Sequence, residues 1–256
     1  MTGSATAHSD DLWRAIRREA EAAVVADPFL EAAAAFILDQ GEFGGALAFL
    51  IGRAICRAEP DRAPFMRVAR EAYAAEPALI DAAAIDLAAI VRRDPAITGF
   101  LPPFLNFKGY VALQAWRVSN WLWREDRPDL ALMMHSAAAD QLQISIHPSA
   151  RIGTAVFLDH GTGIIIGARA SVGDEVTILQ NVTIARHQDD PCHAPTIGHG
   201  VLLSAGATVI GHLKIGDFAR IGAGALVTSD VPAGCTAVGV PARLTNCAEA
   251  GASTLS

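Results

Sequence analysis

The stretch FLDHGTG, residues 157–163, sets Asp159 beside His160 among aliphatic and small residues. An imidazole titrates near neutrality, so a histidine facing a cleft suits a general base that strips a proton from a hydroxyl. The plainer reading is a solvated corner, where aspartate is common and histidine is polar surface. Which applies depends on the elements that carry the pair.

Those elements are of two kinds. From Asp10 to about Gln143 the chain is rich in Ala, Leu, Arg and Glu, with apolar residues recurring at three and four positions, as in LWRAIRREAEAAVVAD and ALIDAAAIDLAAIVRRD. That period predicts six or seven helices. Pro28, Pro60, Pro77, Pro95, Pro102, Pro103 and Pro128 fall between such stretches, where a residue lacking its N–H ends one helix or opens the next.

Near Ile144 the period changes to six. Ile146, Ile152, Leu158, Ile164, Ala170, Val176 and Val182 form one run, and Ile197, Leu203, Val209, Ile215, Ile221 and Val227 a second. Neither a 3.6-residue helix nor a two-residue alternation holds that register, which marks a hexapeptide β-helix: each hexad makes a short strand and a corner, and three sides close a coil. The aliphatic residues fill the prism, and stacked coils share one continuous core. With Leu158 inward, Asp159 and His160 fall on the following corner and point outward. Val182 and Ile197 lie fifteen apart, which is not a multiple of six, so residues 184–196 are predicted to bulge out as a loop. The predicted fold is α + β: helices over residues 1–143, a β-helix over 144–242 and a C-terminal tail over 243–256. Solenoids of this kind tend to trimerise, which would set a corner pair in a cleft between neighbours.

Composition excludes other classes. The 20 Lys+Arg against 27 Asp+Glu leave a net charge of -7, with no basic, aromatic-laced patch for nucleic acid. Cys56, Cys192, Cys235 and Cys247 are scattered without a Cys-x-x-Cys, so neither a disulfide framework nor a structural zinc site is expected, and a reducing cytoplasm fits. The polar, acidic start is no signal peptide, and no run approaches the ~20 apolar residues of a membrane span.

LNFKGYVALQAWRVSNWLW (105–123), IHPSARIG (146–153), LDHGTGIIIG (158–167), GVPAR (239–243) and RDPA (93–96) resemble serine O-acetyltransferase, a hexapeptide-repeat acyltransferase family with a helical domain before a left-handed β-helix. The likeness runs from about Leu12 to Arg243. It implies transfer of acetyl from acetyl-CoA to the serine hydroxyl, in cysteine biosynthesis, by direct attack with His160 as base and no acyl-enzyme. It implies that Asp94 and Asp159 bind the acceptor's ammonium, that His193 contacts the acceptor from the loop, and that Ala205, Gly206, Gly222 and Ala223 line the coenzyme groove. It also implies a homotrimer, with the helical half able to join two trimers into a hexamer.

Several positions depart from the family pattern. The aspartate that family members carry ahead of Ile-His-Pro, which orients the catalytic histidine, is Ser145 here; a hydroxyl still accepts a hydrogen bond but lacks the charge that favours an imidazolium. In the loop, Ile184, Ala185, Arg186 and His187 replace glycines, and the family's Arg-His-Pro is missing its arginine. Arg186 is the candidate replacement to pair with a carboxylate. Otherwise a different hydroxylated amine becomes the acceptor. A pseudoenzyme serving as a regulatory oligomer is the non-catalytic alternative. His187, His193 and His199, six apart, invite comparison with the γ-carbonic anhydrase zinc site, but two of them sit in the irregular loop, and no metal is expected. The chain ends in Ser256 rather than the isoleucine with which relatives engage O-acetylserine sulfhydrylase, so that complex is not expected.

Overall fold

A computed structural model describes residues 3–56, 59–190 and 192–247; residues 248–256, with Ser256, lie outside the described residues. Eight α-helices come first among the described residues: α1 (Gly3–Ala26), α2 (Glu31–Leu38), α3 (Phe43–Ile55), α4 (Glu59–Ala75), α5 (Ala78–Arg93), α6 (Leu101–Asn106), α7 (Lys108–Arg124) and α8 (Pro128–Leu142). None is long and apolar enough to cross a membrane alone. Helix α5 shows how sequence sets the limits: Pro77 precedes it, Leu79, Ala83, Leu87 and Ile90 make its buried stripe, and Arg92 and Arg93 complement the dipole in its last turn. It ends at Asp94, which is extended because Pro95 disfavours a helical residue before it. Rings of Trp13, Phe43, Phe104 and Tyr110 pack in the helical core.

Among the described residues, fifteen short strands follow: β1 (Ser145–Ile146), β2 (Arg151–Ile152), β3 (Phe157–Leu158), β4 (Ile165–Ile166), β5 (Ser171–Val172), β6 (Thr177–Ile178), β7 (Thr183–Ala185), β8 (Thr196–Ile197), β9 (Leu202–Leu203), β10 (Thr208–Ile210), β11 (Lys214–Ile215), β12 (Arg220–Ile221), β13 (Leu226–Val227), β14 (Thr236–Val238) and β15 (Arg243–Thr245). Fourteen of them pair in parallel in three sheets, β1-β4-β7-β10-β13, β2-β5-β8-β11 and β3-β6-β9-β12-β14, the sides of a triangular β-helix.

Two buried rows run through the prism. One holds the second residue of each strand, such as Leu158, Ile166, Val172, Ile178 and Ile184; the other lies two residues earlier, at Val156, Ile164, Ala170, Val176 and Val182. The single period predicted from the sequence starts in the first row and slips into the second after Leu158. The reason is two extra residues at the corner that carries His160. Ser145 pairs with Ile165, twenty residues on, whereas Ile165 pairs with Thr183, eighteen on. Ser171 pairs with Thr196, twenty-five on, so the loop inserts seven residues. It leaves the coil after β7 ends at Ala185, later than the predicted 184.

The C-terminal end also departs from expectation. Instead of leaving as a tail at 243, the chain turns back so that β15 pairs antiparallel with β14. Cys235, buried in the last coil, is joined to Cys247 by a disulfide that scattered spacing did not suggest.

Candidate active site

The corner after β3 is built on left-handed backbone: His160 has φ 56°, Gly161 75° and Gly163 77°. The positive φ of Gly161 favours glycine, and a methyl built there would lie 2.6 Å from Ile144 Cδ1, so that side chain would have to move aside. The turn pushes His160 out of the prism, with its side chain 73% exposed and Nε2 3.8 Å from Asp159 Oδ1. That separation is too long for a hydrogen bond.

Helix α7 closes over the same corner. Gly109 sits so near β3 that a Cβ would lie 2.0 Å from the Leu158 carbonyl oxygen, and only glycine allows that approach. Phe107 stacks on Phe157 at 6.5 Å, and Lys108 Nζ donates to Thr162 Oγ1 across the turn. From the other side, Asp94 caps the backbone of Ala96 at 2.9 Å, and Arg93 reaches Glu175 at 3.2 Å. Between them lies a cleft of about 600 Å³ lined by Asp94, Lys108, Asp159 and His160 among others. Two carboxylates, an imidazole and an ammonium thus converge on one concave space. Phe107 and Lys108 belong to the LNFKGYV segment picked out from sequence, but no site role was assigned to them; that role is readable only once α7 is known to cap the corner.

Below His160 the same prism edge continues. Asn181 N donates to Thr162 O at 2.8 Å, Gly206 N to Gln180 O at 2.9 Å and Gly224 N to Ala205 O at 2.9 Å. The candidate groove residues Ala205, Gly206, Gly222 and Ala223 therefore lie on corners in register with His160, each coil about 4.8 Å from the next. Gly222 has a packing reason of its own, since a Cβ there would meet Val238 Cγ1 at 2.7 Å. Ala223 is exposed, and a Cβ on the half-buried Gly206 would meet only Gly224, at 3.9 Å.

Arg186 and His193 lie elsewhere. Their loop interrupts the next edge round, between β7 and β8, so within one chain they do not join Asp94, Asp159 and His160. Ser145 opens β1 on the His160 edge, but its hydroxyl is taken by His135 Nε2 of α8 at 3.1 Å, a partner that sequence gave no reason to expect. The His187, His193 and His199 trio does not assemble: His187 turns to Asp189 at 3.4 Å, and His199 packs edge-on against Phe218.

Burial lowers the pKa of both His135 and His147 below the ordinary imidazole value of 6.5, and for His147 the nearby His135 and Arg186 push the same way. The unfolded chain then takes up protons first, so stability present above pH 6.5 is lost as pH falls below it. Urea unfolding between pH 7 and 5 should show this decline, shallower in His135→Gln; an unchanged slope would refute the assignment.

Comparison with known proteins bears on this arrangement. The family profile described as "Serine acetyltransferase, N-terminal" matches residues 12–115. Serine acetyltransferase of Salmonella typhimurium is 38% identical over 91% of this chain and 86% of its own. Soybean serine acetyltransferase complexed with serine superposes with TM-score 0.89 at 38% identity, covering 93% and 99% of the two chains. A serine acetyltransferase in complex with CoA gives TM-score 0.89 at 35% identity, covering 93% and 100%. The shared architecture is a helical domain followed by a left-handed parallel β-helix.

Proposed function

As the chain belongs to the serine acetyltransferase family and is an acyltransferase, we propose that it moves acetyl from acetyl-CoA to the hydroxyl of L-serine or a close hydroxylated amine, with His160 as general base. The observation that carries this reading is the single prism edge that bears His160, the Asp94/Asp159 cleft and, in register below, small residues able to admit a long thioester arm.

In this mechanism Asp94 and Asp159 hold the acceptor's ammonium, and the hydroxyl lies against His160. The imidazole takes the hydroxyl proton as the oxygen attacks the thioester carbonyl. Coenzyme A thiolate then leaves and is protonated by the imidazolium, so the base is restored and no acyl-enzyme forms. Positioning within about 3–3.5 Å supplies much of the rate. Lys108 adds positive charge at the cleft mouth, where it would favour the oxyanion or the acceptor's carboxylate.

The loop's position on another edge supports a trimer in which Arg186 and His193 of one chain reach the cleft of its neighbour, with the helical halves joining two trimers. Light scattering tests this, and a monomer would overturn the shared site. Ser145, bonded to His135, steadies the His160 edge as a neutral group in place of a carboxylate.

Thiol release from acetyl-CoA, measured with serine, homoserine and other small hydroxylated amines, tests the reaction. Absence of acceptor-dependent release across the panel would overturn it and favour the pseudoenzyme. Ala223→Trp should raise KM for acetyl-CoA at least about tenfold, a loss of about 1.4 kcal/mol, with kcat at saturation less affected. The exposed position of Ala223 leaves the coil intact. An unchanged KM would move the groove to another edge.

A further inference from the structure

The loop and the corner after β10 bring together side chains whose mutual arrangement acetyl transfer does not require. Asp190 accepts the N–H of Cys192 at 3.1 Å and of His193 at 3.0 Å, which fixes its carboxylate over the turn. His193 Nδ1 lies 2.9 Å from Asp190 Oδ2. The His193 ring in turn stacks on His212, centroids 4.3 Å apart and planes 17° apart. His212 belongs to the corner after β10, nineteen residues further along and part of the rigid prism. One donor atom from each of the three lies within 4.8 Å of the other two.

We propose that Asp190, His193 and His212 form a site for a divalent transition cation of the zinc class, which clamps the loop to the corner after β10. Two imidazoles and a carboxylate are a donor set that Zn²⁺ accepts, with a fourth position left to water. Donors on one tetrahedral zinc stand about 3.4 Å apart; the two rings now lie nearly parallel, so one of these exposed imidazoles has to turn out of the stack for both lone pairs to face a single ion. Charge points the same way. Two neutral imidazoles and one carboxylate carry a single negative charge that a dication neutralises, whereas protonated imidazoles at stacking distance repel each other. A bound cation would hold His193, the residue assigned above to the neighbour's acceptor. That consequence rests on the proposed reaction; the binding itself does not.

The test is zinc titration of the full-length, untagged chain by calorimetry, with Co²⁺ absorption as the spectroscopic readout. Amide hydrogen exchange of residues 186–195 reports the clamp. Wild type should bind one ion per chain and slow exchange in the loop. His212→Ala and Asp190→Asn should each weaken binding at least about tenfold and abolish the slowing. Both sites are on the surface, so the fold survives. Cys192 carries an exposed thiol beside the site, and His187 lies on the same loop. Cys192→Ser and His187→Ala should therefore bind as wild type does. Failure to bind stoichiometrically, unchanged affinity in His212→Ala, or loss of binding in Cys192→Ser or His187→Ala each overturns the site.

Discussion

His160→Ala is expected to lower kcat for acetyl transfer by about 10²- to 10⁴-fold, the usual contribution of a positioned general base. KM for acetyl-CoA should stay within about threefold, because the groove residues lie on lower coils and lose nothing. The fold should not suffer: the His160 side chain is exposed, so alanine removes little packing, and both residues face the same left-handed backbone. Asp159 Oδ1 lies 3.8 Å from its Nε2. The two members of the pair therefore separate kinetically. Asp159→Asn should mainly raise KM for the acceptor, as expected of a group that binds an ammonium, while His160→Ala should mainly lower kcat. Steady-state kinetics with varied acceptor and acetyl-CoA distinguish the two. Undiminished turnover in His160→Ala would end the case for this corner as the reacting centre.

The helices and the solenoid are legible in sequence because each rests on a period. The 3.6-residue spacing gives α5, and the six-residue spacing gives the coils. The register within the solenoid is less legible, since both buried rows are aliphatic. Leu158 and Ile164 belong to different rows, yet six residues separate them as they would within one. The two extra residues at the His160 corner are thus hidden by the periodicity that reveals the fold. The Gly161 and Gly163 pair was the available signal, since two left-handed positions close together indicate a widened turn.

Contacts between distant segments are the part that spacing does not encode. His135 meets Ser145 because α8 packs on β1. His212 meets His193 because a solenoid edge stacks residues from successive coils, and Cys247 reaches Cys235 because β15 reverses direction. Asp86 is the clearest case: from sequence it is one more acidic residue in an alanine-rich helix.

Its role leads to the second large effect. Asp86 is fully buried, and Arg117 is 7% exposed. Asp86 Oδ2 accepts Arg117 Nε at 3.1 Å, Arg117 Nη2 at 2.7 Å and Gln114 Nε2 at 3.1 Å, while Oδ1 accepts the N–H of Val156 at 3.1 Å. Arg117 Nη2 also donates to the Gly153 carbonyl at 2.8 Å. One carboxylate therefore ties α5 to α7 and both to the first coil. Asp94 ends α5 eight residues on, and the strand leading to His160 begins directly after Val156, so the tie sets the distance across the cleft. Removing one partner strands the other charge in the interior: Asp86→Ala should cost about 3–5 kcal/mol, lowering Tm by about 10 °C for a chain of this size. The carboxylate's absence also frees α5 to shift, so kcat should drop although Asp86 touches no reactant. Replacing both partners removes the stranded charge. Asp86→Leu with Arg117→Leu should therefore recover more than half of the lost stability in urea unfolding, without restoring kcat, because the Val156 and Gly153 tethers stay broken. If Asp86→Ala lost less than about 1 kcal/mol, or if the double variant were no more stable than the single, the pair would not be what couples the helical domain to the reacting corner.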